Sequence, residues 1–220
     1  MFELLHLCDS LFPIGGFSHS DGLEAATASG AVKTAADLGA WMDACLDETL
    51  ARCDGPAMWQ AWNCFAESRW NDIAALDSEV HALRPSSTGR AAGRAMGTRL
   101  IKTWHQMRPH PGLAILLDEG EGAFTLPVAF GAVSAAADID ARAALEGFMY
   151  TRLAATISTA MRLMAIGQHE AHALLADTLA RAPEVVEAVM CEGRAPSAFA
   201  PALDVAAMSQ QYVHSRLFRS

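Results

Sequence analysis

The sequence predicts an all-α protein that folds as a single-domain, irregular bundle of about 8–10 helices. Apolar residues make up 52% of the 220 residues and charged residues 19%, which is enough for a packed core. Alanine is abundant and β-branched residues are sparse, which favours helix over strand. Apolar residues recur at helical spacing rather than in alternation. We expect one domain over residues 1–220, with an N-terminal helix and loop at 1–20 and a C-terminal tail at 208–220.

The first helices are predicted from short apolar runs and the signals that end them. Residues 2–11 read as an apolar helix that stops at residues 12–16, where a proline and paired glycines disfavour helical conformation. Asp21 followed by Glu24 resembles a capping box, which predicts a helix from there to about Gly30.

Thr34 begins a longer helix with an apolar stripe, and a proline-containing turn at residues 54–56 ends it. The later helices are each bounded by proline, glycine or capping residues, whereas residues 113–125 show no clear pattern. These helices are predicted over residues 57–70, 72–83, 88–107, 126–137, 140–166, 168–182 and 184–191. A looser stretch and a polar, partly basic tail follow.

Charge and cysteine content exclude several classes of protein. A net charge of −9 and a pI of about 5.3 argue against a nucleic-acid partner, because phosphate binding needs clustered Lys and Arg. Five cysteines without a CxxC pair favour reduced thiols in a cytosol. The N-terminus lacks a signal-peptide pattern, and the longest uncharged run, residues 122–137, is too short for a membrane span. We therefore expect a cytoplasmic protein with no nucleic-acid or membrane partner.

The segment at residues 11–18 reads LFPIGGFS and matches no phosphate-binding motif. It is a sharp turn with an aromatic residue on each side. One interpretation is a plain connection between helices, and the other is a surface loop presented to a partner. The second interpretation assigns partner contacts to Phe12, Pro13, Gly15, Gly16, Phe17, Ser18 and His19.

Gly89, Gly93 and Gly97 recur at every fourth position of a predicted helix. Together they form one bare ridge that allows another backbone to approach closely. Because glycine costs about 1 kcal/mol per helical position relative to alanine, close packing is the expected compensation. The stretch is too polar for the alternative use of this spacing, dimerisation of membrane helices.

The same helix is locally basic. No Asp or Glu occurs between Val80 and Leu117, although five arginines and one lysine do. This segregation is compatible with a solvated helix face, and equally with a patch for an acidic partner surface. The second interpretation assigns partner contacts to Arg90 and Arg94.

The sequence contains only weak signals for a metal site or a catalytic site. His169 and His172 are spaced to share a metal, but the HExxH arrangement of zinc proteases is missed by one residue. Cys8 lies near His6 and Asp9, and near Ser18, Ser20 and His19, without a nucleophile-elbow or Cys-His signature. We predict no catalytic, metal or cofactor site, while a helical metal carrier and a helical enzyme stay open as alternatives.

The C-terminal tail keeps two apolar residues, Leu217 and Phe218, between Arg216 and Arg219. Chain ends are usually polar and frayed. An aromatic residue flanked by arginines is typical of an interface. We therefore interpret Arg216, Leu217, Phe218, Arg219 and Ser220 as a docking tail.

Five blocks in order along the chain resemble the UreF family of urease accessory proteins. The most specific is the N-terminal segment LLHLCDSLFPIGGFSHSDGLE at residues 4–24. The other four are GRAMGTRL, PVAFG, RLMAIGQ and SRLFRS, at residues 93–100, 127–131, 162–168 and 215–220. Departures from the family pattern fall at His19, Asp21, His214 and the Ala171-His172 pair.

The resemblance implies an all-α, usually dimeric scaffold that bridges the accessory protein UreD to the GTPase UreG. The resemblance further implies that this complex binds apo-urease and uses GTP hydrolysis to install nickel, and that the scaffold gates the GTPase. Gln168 joins the expected partner contacts on the same basis. The alternative function is a helical nickel-binding carrier, which depends on His169 and His172 and on the cluster around Cys8.

Overall fold

A computed structural model describes residues 1–119 and 123–219 of the chain. In chain order its α-helices are α1 (Phe2–Leu7), α2 (Leu23–Ser29), α3 (Ala35–Ala44), α4 (Gly55–Ala66), α5 (Trp70–Ala82), α6 (Ser87–Met107), α7 (Pro111–Glu119), α8 (Leu126–Ala136), α9 (Ala141–Leu163), α10 (Gln168–Glu192) and α11 (Pro201–Ser209). A π-helical segment, Cys45–Asp54, joins α3 to α4, and 3₁₀ turns form at Gly16–Ser18 and Gln210–Tyr212. These residues include no β-strand, so the all-α prediction is confirmed.

Helix α8 lies at the centre of the bundle. Every residue from Leu126 to Ser134 is buried. Helices α4 and α6 pack against it, α9 lies beside it, and α10 packs outside α9 and α3. One hydrophobic cluster runs through the chain and takes side chains from each helix, α1 to α11.

The stretch from α3 to α4 is one continuous helix, so the predicted turn at residues 54–56 is wrong. Thr34 begins it as predicted, because its hydroxyl accepts from the Asp37 amide at 3.2 Å and the Asp37 carboxylate accepts from the Thr34 amide at 2.9 Å. At the far end Asp54 and Gly55 stay in right-handed helical conformation, and the Gly55 amide donates to the Leu50 carbonyl. The wider π spacing therefore carries the chain past the proline at position 56 without a break.

Helix α10 also continues where the sequence predicted a break. It passes through Pro183, although proline costs a helix one backbone hydrogen bond. Ala182 and Val186 on either side are buried. Arg181 donates from Nη1 to Asp43 and from Nη2 to Asp47, each at 2.7 Å, which fastens α10 to α3 and the π segment. Packing along the whole helix outweighs the local preference of one residue.

The three glycines of the predicted ridge on α6 have different surroundings. A Cβ added to Gly97 would overlap the backbone of Phe124 and Thr125 at the start of α8. At Gly89 it would meet Ser86 at 3.4 Å, and at Gly93 it would meet no atom within 4 Å. Close backbone approach therefore occurs at Gly97, whereas Gly93 faces open space.

We predict opposite effects of alanine at two of these positions. Gly97→Ala should destabilise the fold by about 1–3 kcal/mol, because its methyl group collides with fixed backbone. Gly93→Ala is the matched control on the same helix and should stabilise it by up to about 1 kcal/mol. Urea unfolding followed by circular dichroism measures both, and equal effects would contradict the packing described here.

Candidate protein-binding surface

The loop at residues 11–18 has a buried anchor and an exposed apolar tip. Phe12 is buried, with ring centroids 5.3 Å from His6 and 6.1 Å from Trp104. Gly15 then takes the left-handed conformation, with φ of 79°, which favours glycine at that position. The turn leaves Phe17 75% exposed. The loop thus holds one aromatic ring in the core and presents the other to solvent.

Two arginines from the helical scaffold hold the loop. Arg99 on α6 donates from Nη1 to the Ile14 carbonyl at 3.1 Å. Arg162 on α9 donates from Nη1 to the Phe17 carbonyl at 3.0 Å. Since both bonds end on backbone carbonyls, the path of the loop is set by the helices beneath it.

Glu24 fixes the C-terminal tail instead of capping α2, so the predicted capping box is wrong. The helix begins after Gly22, whose φ is 89°, with no side-chain cap. The buried Glu24 carboxylate accepts hydrogen bonds from Gln210 Nε2 at 2.5 Å, from the Leu217 amide at 2.5 Å and from the Phe218 amide at 3.2 Å. Two segments far apart in sequence, the start of α2 and residues 210–218, thereby meet at one carboxylate.

Phe218 completes the contact between tail and loop. Its ring is 2% exposed, and the Arg162 guanidinium lies over it, 4.3 Å from the ring centroid. The Arg219 amide donates to the Ser18 carbonyl at 2.8 Å. Residues 11–18 and 210–219 therefore form one continuous face, which we call the loop–tail surface.

Exposed apolar side chains concentrate at the two ends of the described chain. More than half of the large hydrophobic residues that are exposed belong to the N-terminal segment or to the tail. These are Met1, Phe2, Leu5, Leu11, Phe17, Met208, Tyr212 and Leu217. Apolar patches bordered by polar and charged residues typically mark protein-binding sites.

The remaining predicted contacts are divided between this surface and other places. Pro13 and Arg216 are exposed in the loop and tail, whereas Gly16, Ser18 and His19 are half-buried. Gln168 is exposed at the first position of α10. Ser220 lies outside the described residues. Partner contact at all of these positions stays a prediction.

His19 lies in a field of positive charge. Burial lowers the pKa of its imidazole, Asp21 opposes that effect, and the guanidiniums of Arg152, Arg219 and Arg99 lower it further. The departure from the family pattern at this position thus places a mainly neutral ring beside the loop–tail surface at neutral pH.

Three of the six basic residues between Val80 and Leu117 pair with carboxylates from other elements. Arg94 contacts the buried Asp77 of α5 at 3.5 Å, and Arg84 and Arg108 pair with Asp54 and Glu3. Arg90 donates from Nη1 to the Arg84 carbonyl at 2.6 Å. In the folded chain, carboxylates from other elements therefore neutralise part of this positively charged segment.

A cavity of about 130 Å³ lies between the π segment, α6, α9 and α11. Two ion pairs line it, Arg84 with Asp54 and Arg152 with Asp21. The Asp54 carboxylate beside Arg84 raises the pKa of that guanidinium. Burial raises the pKa of the Asp21 carboxyl, but Arg152 and Arg84 outweigh it and hold that pKa below its usual value. Sequence reasoning missed these pairs, because their partners are 30 and 131 positions apart.

Two residue sets that the sequence offered for other chemistry can be located among the described residues. No group of three His, Cys, Asp or Glu side chains in those ranges is placed to hold a metal ion, and His169 and His172 are exposed on α10. Burial raises the pKa of the Cys8 thiol to about 11, so this side chain is a poor nucleophile at neutral pH. None of the helices in the same ranges is both long and apolar enough to cross a membrane.

A helical bundle with a fixed apolar surface and charged surroundings is typical of an all-α protein-binding protein.

The sequence model of UreF matches residues 32–179. The chain is 32% identical to a urease accessory protein UreF of Azoarcus sp. (strain BH72), over all of this chain and 95% of the relative. It is 30% identical to the protein of that name from Rhodopseudomonas palustris (strain BisB5), over all of this chain and 91% of the relative. The chain belongs to the UreF family.

We predict that the Arg84–Asp54 pair supports the fold. Arg84→Met should destabilise it by about 3 kcal/mol, because it leaves the Asp54 carboxylate buried without its cation. Arg194→Ala removes an arginine from an exposed pair with Glu192 and should cost less than about 1 kcal/mol. Thermal and urea unfolding compare the two variants, and an equally small effect of Arg84→Met would contradict this role.

Proposed function

We propose that this UreF-family chain acts in urease maturation as a non-catalytic scaffold that bridges the accessory protein UreD and the GTPase UreG. The observation that carries the proposal is the loop–tail surface, where both ends of the described chain present apolar side chains on a rigid support. A scaffold needs such fixed surfaces, since binding loses less conformational entropy when the surface is already ordered.

UreD is the partner that we assign to the loop–tail surface. Phe17 and Leu217 supply its exposed apolar contacts, while Arg162, Arg216 and Arg219 supply positive charge within a chain of net charge −9. A matching partner surface has an apolar strip flanked by carboxylates.

UreG is the partner that we assign to the face of α6 around Arg90. This residue is half-buried, and it lies outside the loop–tail surface. Control of GTP hydrolysis, a homodimer, a cytoplasmic location and delivery of nickel to apo-urease belong to the same proposal. They rest on the resemblance to UreF proteins described above.

Single substitutions on the loop–tail surface should weaken UreD binding without unfolding the chain. We expect Phe17→Ala and Leu217→Ala each to reduce the affinity for UreD about tenfold, because aromatic and aliphatic anchors dominate interfaces. Met107→Ala, an exposed residue at the end of α6, is the control. Co-purification and titration calorimetry with UreD measure the effect, and undiminished binding by both variants would overturn the assignment.

Arg90→Ala tests the second surface. We expect weaker UreG binding and slower GTP-dependent activation of urease, because the variant removes a positive charge from the proposed contact. Lys102→Ala is the control, since it removes an exposed positive charge from the same helix. If the two variants behave alike in UreG pull-down and in activation of apo-urease, the assignment of Arg90 is wrong.

A further inference from the structure

We propose that the cavity between the π segment, α6, α9 and α11 binds a small oxyanion at the end lined by His81, Arg90 and Thr125. The ligand class is inorganic phosphate, sulfate or a small carboxylate. The volume of about 130 Å³ is several times the roughly 10–15 Å³ that one water molecule needs, so a molecule of this size fits. The site rests on contacts within this chain and stands independently of the assignments to UreD and UreG.

Three buried polar atoms around Asp77 have no hydrogen-bond partner within residues 1–119 and 123–219. They are His81 Nδ1, Arg94 Nε and Thr125 Oγ1. The Asp77 carboxylate accepts from the Thr125 amide at 2.6 Å and contacts Arg94 at 3.5 Å, and it precedes His81 by one turn of α5. Because buried polar groups are normally hydrogen-bonded, three such atoms around one carboxylate indicate a site for a further polar molecule.

Thr125 is the most deeply buried of these side chains. It precedes α8 at the capping position and is 5% exposed, yet its hydroxyl makes no capping bond. A threonine at that position usually bonds to the backbone of the first helical turn. Since Thr125 lines the cavity, its hydroxyl is available to a molecule bound there.

The charges at this end of the cavity favour an anion. Arg90 and Arg94 carry two positive charges, whereas Asp77 carries one negative charge and is already bonded to Arg94 and a backbone amide. Burial and the two guanidiniums lower the pKa of the His81 imidazole, and Asp77 opposes them. The start of α6 lines the same cavity at Gly89, and the N-terminal end of a 21-residue helix attracts negative charge.

The carboxylates that line the cavity lie away from His81. Asp54 and Asp21 each pair with an arginine. Asp204 lies near enough to the Cys53 thiol to raise its pKa. The charged groups that influence the pKa of His81 do not include any of these three carboxylates. An oxyanion beside His81 therefore meets hydrogen-bond donors and positive charge, which bind it strongly together.

Titration calorimetry of the full-length chain with sodium phosphate, at an ionic strength held constant with sodium chloride, tests the site. The wild-type chain should bind phosphate saturably, and Thr125→Val should bind it about tenfold more weakly, because valine keeps the shape of the side chain and removes the hydroxyl. Sulfate and acetate, titrated in the same way, show whether a tetrahedral anion or a carboxylate binds more tightly. Absence of saturable binding of all three anions, or equal binding by Thr125→Val, would overturn the proposal.

Ser134→Ala is the matched control. It removes another buried hydroxyl that has no partner in the described ranges, and this residue of α8 does not line the cavity. Phosphate should therefore raise the Tm of the wild-type chain and of Ser134→Ala, but not that of Thr125→Val. Without phosphate, Thr125→Val should melt no lower than the wild-type chain, because the lost hydroxyl makes no bond. A much lower Tm without phosphate would instead assign Thr125 to the fold and contradict its role as a ligand contact.

Nuclear magnetic resonance of the wild-type chain provides a measurement that needs no folded Thr125→Val. Phosphate should raise the pKa of the His81 imidazole, because a nearby anion stabilises the protonated form. His81→Gln identifies the signal by its loss, and the exposed His169 and His172 serve as internal controls that phosphate should leave unchanged. A pKa of His81 that is unaffected by phosphate would contradict the site.

Discussion

The close approach of backbones around α8 is the constraint on which the rest of the fold depends. Gly97 lets α6 meet the start of α8, and Gly131 within α8 lets it meet the Met58 carbonyl of α4. These contacts leave no room for a side chain, so three helices lie at distances that only glycine permits. The buried α8 in turn fixes where α6 and α9 present Arg99 and Arg162 to the loop.

Long-range ion pairs and hydrogen bonds then fix the loop–tail surface on this bundle. Glu24 collects donors from Gln210 and the tail, and Arg152 binds Asp21 just before α2. Each contact joins segments more than a hundred residues apart in sequence. Such bonds are worth most where the groups are shielded from water, which is the case for Glu24. The loop–tail surface is therefore held in place by contacts within the chain itself.

The sequence predicted what depends on local periodicity and capping. The all-α class and the helix that begins at Thr34 both follow from nearby residues. Errors arose where distant residues decide the local outcome. The spacing of Asp21 and Glu24 fits a capping box, yet the tail supplies donors that compete for the Glu24 carboxylate. Pro183 reads as a helix end, but the packing of α10 over its full length keeps the helix continuous.

The rotation of α3 relative to α4 depends on the π-helical segment that joins them. Conversion of its ten residues to α geometry would rotate α3 relative to α4, because an α-helix has fewer residues per turn than a π-helix. That rotation would carry Asp43 and Asp47 away from the fork of Arg181, which now holds both. Through Arg181, helix α10 therefore holds this long helix in its π-containing conformation.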